Sequence, residues 1–557
     1  MKYAWLLIAI LAARFLVVAV AYPQLDGDLS WQRWLGNQIL RTARVPGALG
    51  NETFTAAGAP WLPHEWLFSV AAAAGGLGLG WILFSGAVAL CAIAALALAA
   101  LQAERRGAGP QAIALCTVFA GIALFESFGV RAQVVAWPLL VVFLALLECD
   151  GKVAWCALAV AAIWSNFHGS AALAPAAAGI VAAGAWLDAR RITQRVRRLL
   201  SIAVLSLGAI CLNPLGWKLP AYSFMLLRNP SIKTNIVEWK VTGLEDPSFA
   251  YGAFALLLGA VLLGIARRND LRLVSWERLL VFAAFCWLML GAARNIALFA
   301  LVALPGVAAA LSDIVPWFGR QAEPDRRHAW IPRVALPGIA MAMSFAVAAL
   351  LLRGENATRD NLADPALAAL GREPGSHRVL CTDFAWCGLL VGKPHVSVFL
   401  DGRADPYPER VWNDYLEIAR VRPLWRAKLD GYRVDAIVAG RGAPLDQALA
   451  AAGGWRVAFV DQRYRLWLVA RDRGIGRGVV GAGARRREAT SAEWFHHFSE
   501  ERQSRRASAA TTRRAACLST GCVVALRSQS AAFVAHRSSH PIEIQRSAAI
   551  EPPVAGH

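Results

Sequence analysis

The stretch WILFSGAVALCAIAALALAAL, Trp81–Leu101, carries no charged side chain anywhere along its length. As a helix rising 1.5 Å per residue, it reaches across a hydrocarbon core of about 30 Å. Tyr3–Tyr22, interrupted only by Arg14, and Val334–Leu352 read the same way. The whole chain agrees: of 557 residues, 57% are hydrophobic and 17% charged, where a soluble domain carries about a quarter charged. Repeated runs of this length describe an all-α polytopic membrane protein. The first run outlasts the apolar core of a signal peptide and has no small-x-small site after it, so it reads as a retained span.

The net charge of +19 would suit nucleic-acid binding if it formed one patch. Instead the basic residues lie in short loops between apolar runs: Arg105-Arg106, Arg190 to Arg198, Arg267-Arg268 to Arg278, and Arg320 to Arg333. That pattern sets membrane orientation and excludes a nucleic-acid partner. With these loops inside, about eleven crossings follow, the N-terminus cytoplasmic. They lie near 3–22, 80–102, 111–127, 131–148, 152–166, 168–187, 198–214, 249–266, 276–292, 294–312 and 331–352. The apolar segment 64–78 breaks the alternation if it crosses, so it is expected to be re-entrant or interfacial. The ten cysteines form no paired ligand array, which argues against zinc or iron–sulfur sites.

Three regions follow: a transmembrane domain over 1–355 with outer loops 23–63 and 215–248, an extracytoplasmic α/β domain over 356–473, and a basic tail over 474–557. In the first loop, Leu29 to Arg44 carries Trp31, Trp34, Leu35, Ile39 and Leu40 at helical spacing, as in a helix lying in the interface. In the α/β region, strand-like runs (378–381, 396–400, 435–439, 456–460, 466–470) alternate with helical ones (407–420, 444–452). The tail is rich in Arg, Ser, Ala and Gly without period, which predicts disorder.

The polar residues that interrupt or border apolar runs gather at the outer ends: Asp26, Asp28, His64, Glu65, Glu126, Arg131, Asn166, His168, Asn213, Glu238, Arg294 and Asn295. Ionisable groups at membrane depth are costly and commonly serve a site. Each also has a plainer reading. Asp26 and Asp28 cap a helix, His168 is a hydrogen-bonded interfacial histidine, and Arg131 and Arg294 pair with Glu126 or Glu238. The functional reading gives the arginines a lipid phosphate, which guanidinium grips bidentately. Asp26-x-Asp28 is also a weak site for one divalent ion.

Several of these segments resemble GT-C-type membrane glycosyltransferases. They are Asp26-Gly-Asp28 with its interfacial helix, Phe54-Thr-Ala-Ala-Gly-Ala-Pro-Trp61-Leu-Pro-His64-Glu65-Trp66, Asn-Phe-His168-Gly, Leu212-Asn-Pro-Leu-Gly-Trp217 and Ala293-Arg294-Asn. With Val398-Phe-Leu-Asp401-Gly-Arg403-Ala-Asp405, they look like a bacterial branch of that superfamily over residues 1–473. The resemblance implies a GT-C-like fold and transfer of a sugar from a polyprenyl-phosphate donor at the outer face of the bacterial cytoplasmic membrane. It also implies Asp26 or Asp28 as general base or metal ligand, with Mg or Mn as the ion. His64, Glu65, Arg131, His168, Glu238, Arg294, Asp401 and Arg403 are then substrate-binding candidates. The chain departs from the branch at Asp383-Phe-Ala-Trp386-Cys-Gly-Leu, where a Gly-Gly-Tyr-type stretch is usual, so its acceptor is expected to differ or activity to be lost. The competing readings are a secondary transporter, against which no inverted repeat is found, and a non-catalytic assembly or lipid-binding protein.

Overall fold

A computed structural model describes residues 2–21, 27–76, 78–125, 127–226, 230–266, 275–318 and 364–470. Asp26, Glu126, the expected span 331–352 and the tail 474–557 lie outside the described residues.

Helices lie over every expected span up to 294–312. They are α1 (Lys2–Ala21), α4 (Leu79–Arg105), α5 (Pro110–Phe125), α6 (Ala132–Glu148), α7 (Cys156–Phe167), α8 (Leu173–Ala189), α9 (Gln194–Ala209), α12 (Phe254–Ala266), α13 (Trp276–Gly291) and α14 (Ile296–Ile314). Among the described residues, Leu79–Arg105, Gly169–Ala189 and Ala293–Ile314 are long and apolar enough to cross a membrane. The packing is of the kind lipid requires. Helix α4 buries Val88, Ala92, Ala95, Ala99 and Ala103 at intervals of three and four, small residues that let neighbouring backbones approach. Leu83, Val204, Leu207, Leu262 and Trp287 are left exposed mid-helix. In water that apolar surface would be a liability; against acyl chains it is matched. The protein is a helical membrane protein.

Before α4 come α2 (Gly27–Thr42) and α3 (Trp66–Gly75), packed together. At ten residues, α3 rises about 15 Å, half a hydrocarbon core. That length by itself falls short of a crossing. Gly36 on α2 meets the α3 backbone so closely that a Cβ there would strike the Ser69 carbonyl. The loop 215–248, expected only as long, folds into α10 (Lys218–Leu226), α11 (Pro230–Asn235) and a single turn at Val237–Trp239.

The C-terminal segment is an α/β unit. Strands β1 (His377–Cys381), β2 (Val396–Val398), β3 (Ala436–Gly440), β4 (Trp455–Val460) and β5 (Tyr464–Val469) form one sheet in the order β2-β1-β3-β5-β4. β2 and β3 run parallel to β1, while β5 is antiparallel to both β3 and β4. Helices Glu409–Ala419 and Pro444–Ala452 match the helical runs read from the sequence, and Cys381 and Cys387 are joined in a disulfide with Cα atoms 5.8 Å apart.

This unit is not a body apart: Met1–Asp472 forms one compact unit. Leu35, Ile39, Leu49 and Trp61 of the first loop share a core with Leu380, Phe399, Trp412, Ile437 and Trp467 of the sheet region. The loop backbone at Thr53 bridges β2 at Val398 in parallel. The join is braced by a buried ion cluster. Arg403 donates from Nε and Nη2 to Asp401 (2.9 and 2.6 Å) and from Nη1 to Glu52 (2.8 Å), while the Tyr407 hydroxyl donates to Asp401 (2.7 Å). Both the Arg403 and Asp401 side chains are wholly enclosed.

Replacing Arg403 with Met leaves two carboxylates in the interior without their cation, a change that typically costs about 3–5 kcal/mol. Thermal unfolding of the detergent-solubilised variant is expected at clearly lower temperature than the parent. A parent-like transition would show that the brace contributes nothing.

Candidate active site

The bundle has two chemically different ends. The basic loops of α4, α9 and α13 collect at the end away from the sheet, joined by ion pairs such as Arg195–Glu277 and Arg198–Asp150. The sheet end carries groups of both signs drawn from the first loop, the starts of α6 and α14, the end of α7, and the C-terminal segment.

Glu65, the residue before α3, is the centre. Its Oε1 lies 3.6 Å from His64 Nε2 and 3.4 Å from His168 Nε2, and its Oε2 accepts from the Gln32 amide at 2.6 Å. Gln32 stands one helical turn after Asp28 on α2, which places Asp28 along the same helix face. Asp28 Oδ2 is 3.4 Å from Arg131 Nη2, and its Oδ1 accepts from the Trp31 indole at 3.4 Å. Arg131 Nη1 in turn donates to Glu238 at 2.8 Å. Arg294 lies with its guanidinium carbon 4.4 Å from the Trp239 ring centroid. The C-terminal segment closes this region. A Cβ on Gly402 would collide with the Asp28 carboxylate, so the glycine of Asp401-Gly402-Arg403 is where α2 rests on the sheet unit.

Two carboxyls here are driven apart in acidity. Burial alone would raise Glu65, but the hydrogen bond and charge of His64, then His168 and Arg294, carry it down to about 2. Burial likewise works against protonated His64, yet Glu65 and Asp405 outweigh it and hold the imidazole above its ordinary value. Asp405 goes the other way: burial lifts it to about 6 against the pull of His64 and Tyr222. Asp405 follows Ala404, whose positive φ of 59° turns the chain there. The Tyr222 hydroxyl is buried without a well-formed hydrogen bond, and burial with the nearby Asp405 pushes its pKa well up. A permanently ionised carboxylate beside one that titrates near neutrality is the usual arrangement of an acid–base site.

His64, Glu65 and His168 offer ligand atoms within 4.8 Å of one another, an arrangement compatible with a divalent cation. His64 suits such a role: its Nδ1 faces the Leu62 carbonyl at 3.4 Å, leaving Nε2 for a metal. His168 suits it less. Its Nδ1 accepts from the Ser170 backbone N–H at 3.1 Å and stands 2.7 Å from the Ser170 hydroxyl, which itself accepts from Trp164. That places the proton on Nε2, towards Glu65; binding a metal there requires the Ser170 contact to open.

Of the residues expected at a site, His64, Glu65, His168, Arg294, Asp28, Arg131 and Glu238 come together at one end. Arg131 pairs with Glu238, as its plainer reading had it, and with Asp28. Asp401 and Arg403 sit differently: every polar atom of both is spent inside the brace, so they hold the site's frame and present nothing to a substrate. Asp405 and Tyr222 were not among the expected site residues. Asp405 lay within the quoted Val398–Asp405 motif, and its acidic side chain beside an Ala–Asp turn was the one available signal.

No family model matches this chain, and no curated protein matches it. Among solved structures it is similar to the archaeal oligosaccharyltransferase AglB from Archaeoglobus fulgidus in complex with an inhibitory peptide and a dolichol-phosphate. The identity is 13% and the TM-score 0.47, with 79% of this chain and 69% of that one covered. It is similar to ArnT from Cupriavidus metallidurans bound to undecaprenyl phosphate at 15% identity and a TM-score of 0.45, covering 83% and 97%. The Archaeoglobus enzyme in complex with Zn and sulfate aligns at 12% identity and a TM-score of 0.46, covering 78% and 68%.

The acidities give a signed expectation. The folded pKa of Asp405, about 6, exceeds the unfolded value of about 3.9. Its contribution to stability is therefore full below pH 4 and is lost as pH rises through 6. Glu65 is depressed, so its contribution is present above about pH 4.3 and lost as pH falls towards 2. Melting temperatures across pH 4–8 should show Asp405→Asn gaining on the parent as pH rises. A constant difference across that range would refute the assignment.

Proposed function

We propose that the protein is a membrane glycosyltransferase that moves a sugar from a polyprenyl-phosphate donor to an acceptor at the outer face of a bacterial cytoplasmic membrane. The observation that carries this reading is the mixed-charge cluster at the sheet end, where a titrating carboxyl, an ionised carboxylate held by two histidines, and two arginines converge at the ends of membrane helices.

The chemistry asks for a base to take the acceptor's proton as the bond from the sugar's anomeric carbon to the phosphate oxygen breaks, and for cations to receive the departing phosphate. Asp405 is suited to the first task, because a base works best with its pKa near the operating pH. Arg294, and Arg131 steadied by Asp28 and Glu238, are suited to the second. Glu65 stays ionised and fixes the imidazoles. A divalent cation, Mg, Mn or Zn, would be held by His64 and Glu65 and would supply Lewis-acid stabilisation of the leaving phosphate. The basic loops opposite support a sheet end on the outer face, by the positive-inside rule. Asp26 remains a candidate base beside Asp28.

Transfer from polyprenyl-phosphate sugars to an added acceptor pool, with reconstituted protein, tests the reading. Asp405→Asn is expected to lower the rate by about 10²–10⁴-fold, and Asp28→Asn to weaken donor use with less effect on the rate at saturation. Parent-rate transfer by Asp405→Asn with collapse in Asp28→Asn would move the base to the first loop. Parent rates in both would remove the residue-level support for an enzyme.

Reporter fusions near residue 400 check orientation independently. An extracytoplasmic signal is expected, and a cytoplasmic one would sink the outward-facing site.

A further inference from the structure

At the end of the bundle away from the sheet, a cavity of about 330 Å³ opens between α4, α6, α8, α13 and α14. It is lined by the polar side chains of Gln102, Arg106, Glu148, Arg195, Glu277 and Arg278 and by apolar residues, of which Val141, Val181, Val281 and Leu301 are buried. A polar rim over an apolar interior is unusual at a site that only ties loops together.

The charges at the mouth do not cancel. Glu277 is taken by Arg195 in a two-point contact, Nε at 2.9 Å and Nη2 at 2.6 Å. Glu148 is taken by Arg106 Nη2. The Gln102 amide is spent on the Val141 carbonyl at 3.0 Å. Among the described residues Arg278 has no carboxylate partner, and Arg106 Nε is buried with no acceptor. Arg278 stands near enough that its charge adds to burial in lowering the Arg106 pKa. Two guanidinium groups that line one cavity, with donors to spare, suit an anion.

The apolar depth says which kind of anion. A free phosphate would seat at the mouth and leave the valine and leucine walls facing either water or a void. A lipid whose phosphate meets the arginines can lay the start of an acyl chain against those walls, and the cavity opens where membrane helices end. We propose that this cavity binds an anionic phospholipid, its phosphate between Arg106 and Arg278 and its chain among Val141, Leu144 and Val281. A zwitterionic lipid fits less well, because its ammonium would be added to a rim that already holds three arginines against two glutamates. The inference stands apart from the transfer reaction and from the sheet-end site.

The full-length protein, purified in exchangeable detergent, tests this by native mass spectrometry with phosphatidylglycerol, phosphatidylcholine and inorganic phosphate as separate probes. The parent should retain phosphatidylglycerol about tenfold better than phosphatidylcholine. Arg278→Gln, at an exposed side chain with no carboxylate partner among the described residues, should lose that preference. Val302→Trp, which fills the cavity from α14, should lose retention of the lipid. Equal retention of both lipids by the parent, or an unchanged preference in Arg278→Gln, overturns the proposal. So does binding of inorganic phosphate that Val302→Trp leaves intact alongside lipid binding that it does not affect, since the site would then serve a free anion. Should Val302→Trp fail to fold, Arg278→Gln decides alone.

Discussion

The guanidinium of Arg403 sits with no access to solvent between Asp401, Glu52 and the ring of Trp61, 4.8 Å away. A cation in such a place survives only with its carboxylates, and they survive only with it. Because Glu52 belongs to the first loop and Asp401 to the C-terminal segment, 351 positions separate Glu52 from Arg403 in sequence. The mutual need binds those two parts into one core. α2 is then fixed against the sheet unit, Gly402 receives Asp28, and the turn through Ala404 delivers Asp405 towards His64. Loosening the brace would leave each half of the candidate site intact and remove their common geometry.

That geometry matters because the acidities it produces are cooperative. Glu65 is low only because two imidazoles and Arg294 surround it, and Asp405 is high because it is buried in the same neighbourhood. Neither value belongs to a residue alone. The site is assembled from α2, the approach to α3, the α7–α8 junction, the start of α14 and the C-terminal turn. Membrane helices supply the walls, and the sheet unit supplies the carboxyl that titrates.

The two ends of the bundle solve different electrostatic problems. At the end away from the sheet, arginines outnumber carboxylates, as orientation in a membrane calls for, and Arg106, Arg195 and Arg198 are tied to Glu148, Glu277 and Asp150. Arg278, which has no carboxylate partner among the described residues, lines a cavity with apolar walls, and that combination separates a ligand site from a mere fastening. At the sheet end both signs are partly buried and tuned against one another, a pattern that orientation does not call for.

Apolar runs such as Trp81–Leu101 were enough to place helices, because a run of that length without charge has one stable fate in lipid. The alternation of arginine-bearing loops, and with it the gathering of His64, Glu65, Arg131, His168 and Arg294 at a single end, followed from counting crossings. The strands and helices of the C-terminal unit were legible in their alternating runs. What was not legible was partnership. Asp401 and Arg403 read as ligands through the resemblance, or else as a turn with a salt bridge, because a charged pair beside a glycine looks the same in one dimension whether it faces a substrate or a buried Glu52. Asp405 read as nothing in particular, since its acidity comes from burial and from His64 and Tyr222, residues far away in sequence. Periodicity along a chain reports which face an element buries; the pKa of a carboxyl and the role of an arginine depend on low dielectric and on neighbours through space, and those exist only once the chain has folded back on itself.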